Sequence, residues 1–188
     1  MLGMKNKHKF SILIIDHIFT YNLRIISNQT YQEEYEIIVV DDGSTDNTEE
    51  ILKKWIKREL RLKVIRYKTN KSAALVRNTG ISIANGKYIL FLDLDDRLLP
   101  EALKIFAEAI KNQSNKEVFI GATLKENKIG KIKKVTIPNI TENKMFNLKN
   151  FIDGKFSGCL YLVKKEILNY WPFPENLKVR EDFVVRGW

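Results

Sequence analysis

The sequence has very little cysteine and no long apolar run, and both scarcities restrict the kind of protein it can encode. The single cysteine among its 188 residues, Cys159, excludes an internal disulfide framework and any metal site built from several cysteines. The apolar run from Phe10 to Ile15 ends at Asp16, too soon for the core of a signal peptide. No stretch approaches the roughly 20 apolar residues of a membrane span. We expect a cytoplasmic protein, with peripheral contact at the inner face of a membrane as the alternative to a freely soluble one.

Acidic residues are too few to balance the basic ones. Lys and Arg number 32 against 23 Asp and Glu, and the net charge of +9 favours anionic partners such as nucleotides, nucleic acids or acidic lipid headgroups. Part of the surplus lies in residues 125–134, whose alternation of lysines with apolar residues indicates an exposed hairpin. That hairpin is either a solvated face or a surface that attracts a membrane or an acidic glycan.

Apolar runs alternate with amphipathic segments, and 44% of the sequence is hydrophobic, which suits one globular domain with its own core. Strands are predicted at residues 10–15, 36–40, 62–67, 88–92 and 157–163. Helices are predicted at about residues 19–28, from residue 46 onward, at 73–84 and after Pro100. Strands joined by helical crossovers imply an α/β fold with a mostly parallel, Rossmann-like sheet and helices on both of its faces.

Two of these helices carry predictions at the level of single residues. Asp46 followed by Glu49 has the spacing of a capping box, and the apolar face of the helix that it begins is predicted to extend to Leu60. Pro100 begins the other helix, in which Ile105 is predicted to face the core.

Three carboxylates follow the apolar strand Tyr88–Leu92, namely Asp93, Asp95 and Asp96. Acids at the end of a buried strand repel one another and lose hydration, so that either one protonates or a cation binds. The pair Asp93 and Asp95 offers the oxygen ligands that Mg²⁺ or Mn²⁺ prefers. The alternative is that Asp95 or Asp96 caps the following helix while the others face solvent.

A second acidic pair, Asp41 and Asp42, follows the second predicted strand. In open α/β sheets, ligands bind at the carboxyl ends of the strands, near the point where the strand order reverses. The two acidic clusters are therefore predicted to face one site. For Asp42, Gly43 and Ser44 the alternative is a turn that only leads into the next helix.

Three ordered blocks, residues 37–46, 77–81 and 86–96, resemble the signature of family 2 glycosyltransferases with the GT-A fold. The resemblance is strong over residues 10–110 and looser over residues 111–188. It implies that residues 1–110 form the nucleotide-sugar-binding half of a single GT-A domain and that residues 111–188 form its acceptor-side half.

The resemblance implies an inverting, metal-dependent enzyme that moves a sugar from a nucleoside diphosphate sugar, in the first place a UDP-sugar, to a glycan or lipid-linked acceptor in cell-surface polysaccharide synthesis. It assigns Asp41 and Asp42 to the base and ribose of the donor. It assigns Asp93 and Asp95 to the ribose and to a divalent cation, Mg²⁺ or Mn²⁺, that bridges the diphosphate. Arg77 lies in the block near the donor, with a helix-surface ion pair as the alternative.

The same resemblance places the catalytic base in the pair Glu181 and Asp182, with Asp182 taking the proton from the acceptor hydroxyl. The alternative is an exposed acid pair near a frayed carboxyl end. The chain ends at Trp188, whereas members of the family continue, so the acceptor side is either cut short in a fragment or completed by a partner.

Two departures from the family pattern concern the donor. Residues 16–22 replace the loop that flanks the base, which leaves base recognition open. Lys71 and Ser72 stand where the family often has two glycines. Either the backbone there lies farther from the donor, or Lys71 itself binds a donor phosphate.

Three other functions compete with this interpretation. A non-catalytic sugar-nucleotide-binding module would not need Asp182 for turnover. A nucleotidyltransferase would carry a Gly-rich loop directly after the first strand, where Asp16 and His17 stand instead. A nucleic-acid binder is suggested by the net charge alone, and the acids in the predicted crevice disfavour it.

Overall fold

The computed structural model describes residues 9–15, 20–31, 33, 35–92, 98–114, 118–121, 123–126, 132–136 and 160–175. Its strands are β1 (Phe10–Ile15), β2 (Tyr35–Asp41), β3 (Leu62–Arg66), β4 (Tyr88–Leu92), β5 (Val118–Gly121), β6 (Thr123–Glu126), β7 (Ile132–Thr136) and β8 (Leu160–Lys164). Its helices are α1 (Thr20–Ser27), α2 (Thr48–Ile56), α3 (Ala73–Ile83), α4 (Ala102–Asn112) and α5 (Lys165–Tyr170). None of the helices in these ranges is long and apolar enough to cross a membrane.

Six strands form one sheet in the order β3-β2-β1-β4-β8-β5. The first four run parallel, β8 pairs antiparallel with β4, and β5 pairs antiparallel with β8. The predicted α/β fold of the GT-A type is therefore confirmed. The chain moves outward from β1 to β3 and then crosses to β4 on the other side of β1, so the strand order reverses between β1 and β4. The carboxyl ends of β1, β2 and β4 consequently border the position where such folds bind ligands.

Helices cover both faces of this sheet because neighbouring strand residues point to opposite sides. On one face, Ile12 of β1 belongs to the same buried cluster as Leu23 of α1, Leu52 of α2 and Leu103 of α4. On the other face, a second cluster joins Leu13 of β1, Ile38 of β2, Val76 of α3 and Leu168 of α5. The strands β6 and β7 pair antiparallel outside the main sheet, as the hairpin prediction for the lysine-rich segment requires.

Three core predictions are wrong. On the predicted apolar face of α2, Ile56 is 45% exposed at the last residue of the helix, and Leu60 is 95% exposed because the helix has already stopped at Ile56. Ile105 is 59% exposed because Leu103 and Phe106 already define the buried face of α4. At 100° per residue, Ile105 lies on the side of the helix opposite Leu103.

The capping box predicted for α2 is also wrong. The N-cap residue is Asn47, whose side chain makes no capping hydrogen bond. Asp46 Oδ1 instead accepts a hydrogen bond from the backbone N–H of Thr48 at 3.0 Å. The Glu49 carboxylate is drawn away from the helix terminus by ion pairs with Lys53 and Arg66.

The buried carboxylate of Glu36 joins the amino-terminal ends of three strands. Its Oε1 accepts hydrogen bonds from Ser11 Oγ at 2.5 Å, from Gly86 N at 3.1 Å and from the Asn85 backbone N–H, while Lys63 Nζ lies 2.7 Å from its Oε2. Burial acts to raise the pKa of Glu36, but the hydrogen bonds from Lys63, Ser11 and Asn85 outweigh it and hold the pKa below its usual value. This acid therefore stabilises the amino-terminal ends of the strands, at the opposite end of the sheet from the predicted site.

We expect Glu36→Gln to remove part of the pH dependence of stability. A carboxyl whose folded pKa lies below its unfolded value, about 4.3, stabilises the fold above that pH, and the contribution is lost as the pH falls through the folded pKa. The variant should be less stable by about 1–3 kcal/mol at pH 7. Urea unfolding at pH 7 and pH 3 measures the difference.

Between these two pH values the free energy of unfolding should fall further in the wild type than in Glu36→Gln. Glu50→Gln, which changes an exposed acid on α2, is the control and should keep the wild-type pH dependence. Equal losses in the wild type and in Glu36→Gln would show that Glu36 does not supply this dependence.

Candidate functional site

Asp41 ends β2 and is fully buried, and both of its carboxylate oxygens accept hydrogen bonds from the protein. Oδ1 accepts from the backbone N–H of Ser44 at 3.0 Å and from the Ser44 hydroxyl. Oδ2 accepts from Arg66 Nε at 2.8 Å. These bonds fold the chain sharply after β2, and they fix the direction in which the next residue, Asp42, leaves the strand.

Arg66, the last residue of β3, connects three elements through one guanidinium group. Besides Asp41, it donates to the backbone carbonyl of Ser44 at 2.7 Å through Nη2 and pairs with the Glu49 carboxylate of α2 through Nη1. A planar guanidinium is suited to such multiple fixed contacts. The loop between β2 and α2 is therefore fixed from the side of β3.

Asp42 and Lys71 lie next to each other in the structure. The backbone N–H of Lys71 donates to Asp42 Oδ1 at 2.7 Å. Asp42 retains some exposure, 8%, whereas Asp41 retains none, so Asp42 is the acid of this pair that a ligand can reach directly. Lys71 is exposed and precedes Ser72, whose hydroxyl caps α3 by accepting from Leu75 N at 3.2 Å.

Gly43 permits this close approach of the two loops. Its φ of 81° is in the region that favours glycine, and a Cβ atom at this position would lie 2.8 Å from Asn70 N and 2.9 Å from the Thr69 carbonyl carbon. A side chain here would push Thr69 and Asn70, and with them the backbone of Lys71, away from Asp42.

Arg77 of α3 contacts the segment that follows α5. Its guanidinium carbon lies 5.5 Å from the centre of the Phe173 ring, a cation–π contact. The same ring packs edge to face against Phe91 of β4 at 5.8 Å. The next helical residue, Asn78, donates through Nδ2 to the Phe173 carbonyl and accepts from the Phe173 N–H through Oδ1.

The predicted acids Asp93, Asp95 and Asp182 lie outside the described residues. The strand β4 ends at Leu92, directly before Asp93 in the sequence, and Leu92 pairs with Ile14 of β1. Since β1 separates β4 from β2 and neighbouring strands lie about 4.8 Å apart, the ends of β2 and β4 are about 10 Å from each other. Within the described ranges, no group of three or more His, Cys, Asp and Glu side chains could hold a metal ion.

We expect Arg66→Met to lower the melting temperature, because it leaves the buried Asp41 carboxylate without its cationic partner. Adding Asp41→Asn should restore part of the loss, since a neutral amide no longer needs that partner. Glu49→Gln, which removes the exposed ion pairs of Glu49 with Arg66 and Lys53 but leaves Arg66 on Asp41, is the control and should change the melting temperature little. A double variant no more stable than Arg66→Met would contradict the role given to this pair.

Comparison with known proteins gives the same family as the sequence blocks. Residues 21–171 match the description "Glycosyl transferase family 2". A poly(ribitol-phosphate) beta-glucosyltransferase of Bacillus spizizenii is 36% identical over 169 residues, covering 84% of this chain and 25% of that protein. A GalNAc(5)-diNAcBac-PP-undecaprenol beta-1,3-glucosyltransferase of Campylobacter jejuni is 31% identical over 165 residues, covering 86% of this chain and 50% of that protein.

Solved structures agree with the fold. The crystal structure of Staphylococcus aureus TarS residues 1–349 in complex with UDP-GlcNAc superposes with a TM-score of 0.73 and 28% identity, covering 94% of this chain and 52% of that one. The chain thus spans between a quarter and about half of the length of these relatives. The sequence match covers most of the chain, and the chain belongs to glycosyl transferase family 2.

Proposed function

We propose that this chain binds a nucleoside diphosphate sugar, namely a UDP-sugar, and transfers the sugar with inversion to a glycan or lipid-linked acceptor. The observation that carries the proposal is the contact between Asp42 and Lys71 at the carboxyl ends of the parallel strands. This hydrogen bond places the backbone of Lys71, whose side chain can meet a phosphate, beside an acid that can accept from ribose or base. The nearby strand β4 ends directly before Asp93.

The relatives support the choice of donor and acceptor. TarS was crystallised with UDP-GlcNAc, and it is 28% identical to this chain over nearly all of it, which supports a UDP-sugar as donor. The Campylobacter relative is named for a substrate linked to undecaprenol, which supports a lipid-linked acceptor in cell-surface polysaccharide synthesis. Such an acceptor would bring a cytoplasmic enzyme to the inner face of the membrane, where the lysine-rich residues 125–134 would meet acidic headgroups.

The donor would bind across the ends of β2 and β4. We assign Asp42 to the hydroxyl and N–H groups of ribose and base, and contact of the buried Asp41 with the donor stays a prediction. Lys71 lies at the start of α3, where the partial positive charge of the helix terminus adds to its own, and both favour the diphosphate. Arg77, farther along the same helix, is also assigned to the diphosphate.

Asp93 and Asp95 would hold the divalent cation, Mg²⁺ or Mn²⁺, because carboxylates directly after a strand are hard oxygen ligands. Bound there, the cation would supply positive charge to the diphosphate as it departs. Asp93 would also accept from a ribose hydroxyl.

Asp182 is the proposed base. It would accept the proton of the acceptor hydroxyl while that oxygen bonds to the anomeric carbon of the sugar. The bond from this carbon to the diphosphate oxygen breaks on the opposite face, so the configuration inverts and the nucleoside diphosphate leaves with the bonding electrons. Lys71 and Arg77 would stabilise the charge that it gains.

A thermal-shift panel tests the donor site. UDP, GDP, CDP and dTDP are each added with Mn²⁺ or with EDTA, because a ligand that binds only the folded state raises the melting temperature. At 100 times its Kd, UDP with Mn²⁺ should stabilise the chain by about 2.7 kcal/mol, a shift of several degrees, and EDTA should remove the shift. No shift with any nucleotide would contradict the proposal, and a shift unchanged by EDTA would contradict the metal.

A further inference from the structure

Asp42 lies in a four-residue turn that is closed by hydrogen bonds between its first and last residues. Ser44 donates from its backbone N–H to Asp41 Oδ1 at 3.0 Å, and its hydroxyl donates to the same oxygen. Only Asp42 and Gly43 stand between the two bonded residues. A shift of Asp41 or Ser44 therefore moves the backbone of Asp42 directly.

Arg66 fixes both ends of this turn from the neighbouring strand. It stands opposite Asp41 in the register of β2 and β3, and the next residue, Tyr67, donates its N–H to the Asp41 carbonyl at 2.9 Å. Its Nε donates to Asp41 Oδ2 at 2.8 Å and its Nη2 donates to the Ser44 carbonyl at 2.7 Å. Its Nη1 pairs with the exposed Glu49. All three nitrogens of the guanidinium thus bond to the protein, which assigns Arg66 to the turn and not to a ligand.

The carboxylate of Asp42 is oriented as well. Its Oδ1 accepts from the Lys71 backbone N–H at 2.7 Å, whereas its Oδ2 has no hydrogen-bond partner among the residues that the structure describes. Asp42 is only 8% exposed. An oriented and nearly buried acceptor favours a ligand that offers it a hydrogen over one that does not, because the second ligand leaves the acceptor unpaired.

Uracil and cytosine differ at the atom that such an acceptor can distinguish. N3 of uracil carries a hydrogen, whereas N3 of cytosine is itself an acceptor. We propose that Arg66 is a positioning residue for the choice of base, which holds the turn so that Asp42 Oδ2 accepts from N3–H of uracil. The inference rests on the proposed function, in which Asp42 meets the base of a UDP-sugar.

The chemistry of arginine is specific to this role. Its planar guanidinium reaches the Asp41 carboxylate and the Ser44 carbonyl at once through two different nitrogens. Lysine keeps the charge but presents all of its hydrogens from a single nitrogen, and methionine has neither charge nor donor. Substitution by these residues weakens and removes the fixation without removing any group that is assigned to the donor.

The test compares the wild type with Arg66→Met, Arg66→Lys and the control Glu49→Gln, which removes an ion pair of Arg66 but leaves its bonds to the turn. Calorimetry in Mn²⁺ gives the affinities for UDP and CDP, at a temperature where circular dichroism shows each variant to be folded. Hydrogen exchange of the Lys71 amide, which donates to Asp42, reports on that carboxylate without any ligand.

In Arg66→Met we expect UDP to bind about tenfold more weakly while the affinity for CDP changes less than about twofold, so that the preference for UDP falls at least about fivefold. The Lys71 amide should exchange faster than in the wild type. Arg66→Lys should show a smaller change of the same kind, and it replaces the methionine variant if that variant does not fold. Glu49→Gln should behave as the wild type.

A preference for UDP over CDP that is unchanged in both Arg66 variants would overturn the proposal, as would exchange of the Lys71 amide as slow in both as in the wild type. Equal losses of affinity for the two nucleotides would also overturn it, since Arg66 would then support the whole site and not the choice of base. Failure of the proposed function has a different signature. A wild type that binds neither nucleotide, or binds both equally, contradicts that function and the inference together, whereas a wild type that prefers UDP as strongly as Arg66→Met does contradicts the inference alone.

Discussion

Asp182→Asn should lower turnover 10²- to 10⁴-fold while the affinity for UDP stays within about twofold of the wild type. The asparagine side chain has nearly the same shape as aspartate but cannot take up the proton of the attacking hydroxyl at neutral pH. Release of UDP from UDP-glucose and UDP-GlcNAc gives kcat, and calorimetry in Mn²⁺ gives the affinity. The two readouts separate the loss of a base from the loss of the donor site.

The neighbouring acid supplies the control for this substitution. Glu181→Gln changes the other member of the pair and should retain most of the turnover, because only Asp182 is assigned to the proton. Equal losses in both variants would indicate a structural role for the pair. Unchanged turnover in Asp182→Asn would favour the non-catalytic module or another base.

The second large effect is expected at the metal. Asp95→Asn should weaken binding of UDP in Mn²⁺ at least about tenfold, to the affinity that the wild type shows in EDTA, because a neutral amide is a much poorer ligand for a hard cation. The fold should be unaffected, so the melting temperature without nucleotide should stay close to that of the wild type. Calorimetric titration with UDP, in Mn²⁺ and in EDTA, measures both affinities.

Asp96→Asn is the matched control for the metal. Asp96 is adjacent in sequence but is not assigned to the cation, so its variant should keep the metal-dependent affinity. If Asp96→Asn lost that affinity and Asp95→Asn kept it, the assignment of the ligand pair would be wrong. Wild-type affinity in both variants would place the cation elsewhere.

The sequence predicted the elements whose signal is local. The runs Phe10–Ile15 and Tyr88–Leu92 are buried strands because nearly all of their residues are apolar, and the structure has them at the predicted bounds. The helical spacing of apolar residues predicted burial wrongly where a helix ends and where an apolar residue lies on its solvent side. Leu60 continues the spacing of α2 beyond its last turn, and Ile105 is an apolar residue on the solvent side of α4.

The candidate site shows the same division. Asp42 could be selected from its position after a strand, but its hydrogen bond from the backbone of Lys71, 29 residues later, could not. Arg66 and Asn78 were missed because nothing near them in the sequence marks their partners. Arg66 bonds to Asp41, 25 residues earlier, and Asn78 bonds to Phe173, 95 residues later, so both roles exist only once the chain has folded.

A crystal structure of this chain with UDP and Mn²⁺ would show directly whether the donor binds across the ends of β2 and β4. We expect the uridine against Asp42, the diphosphate near Lys71, and the cation on Asp93 and Asp95 beyond the end of β4. A nucleotide bound elsewhere on the sheet, with Asp42 and Lys71 still joined only to each other, would contradict this expectation.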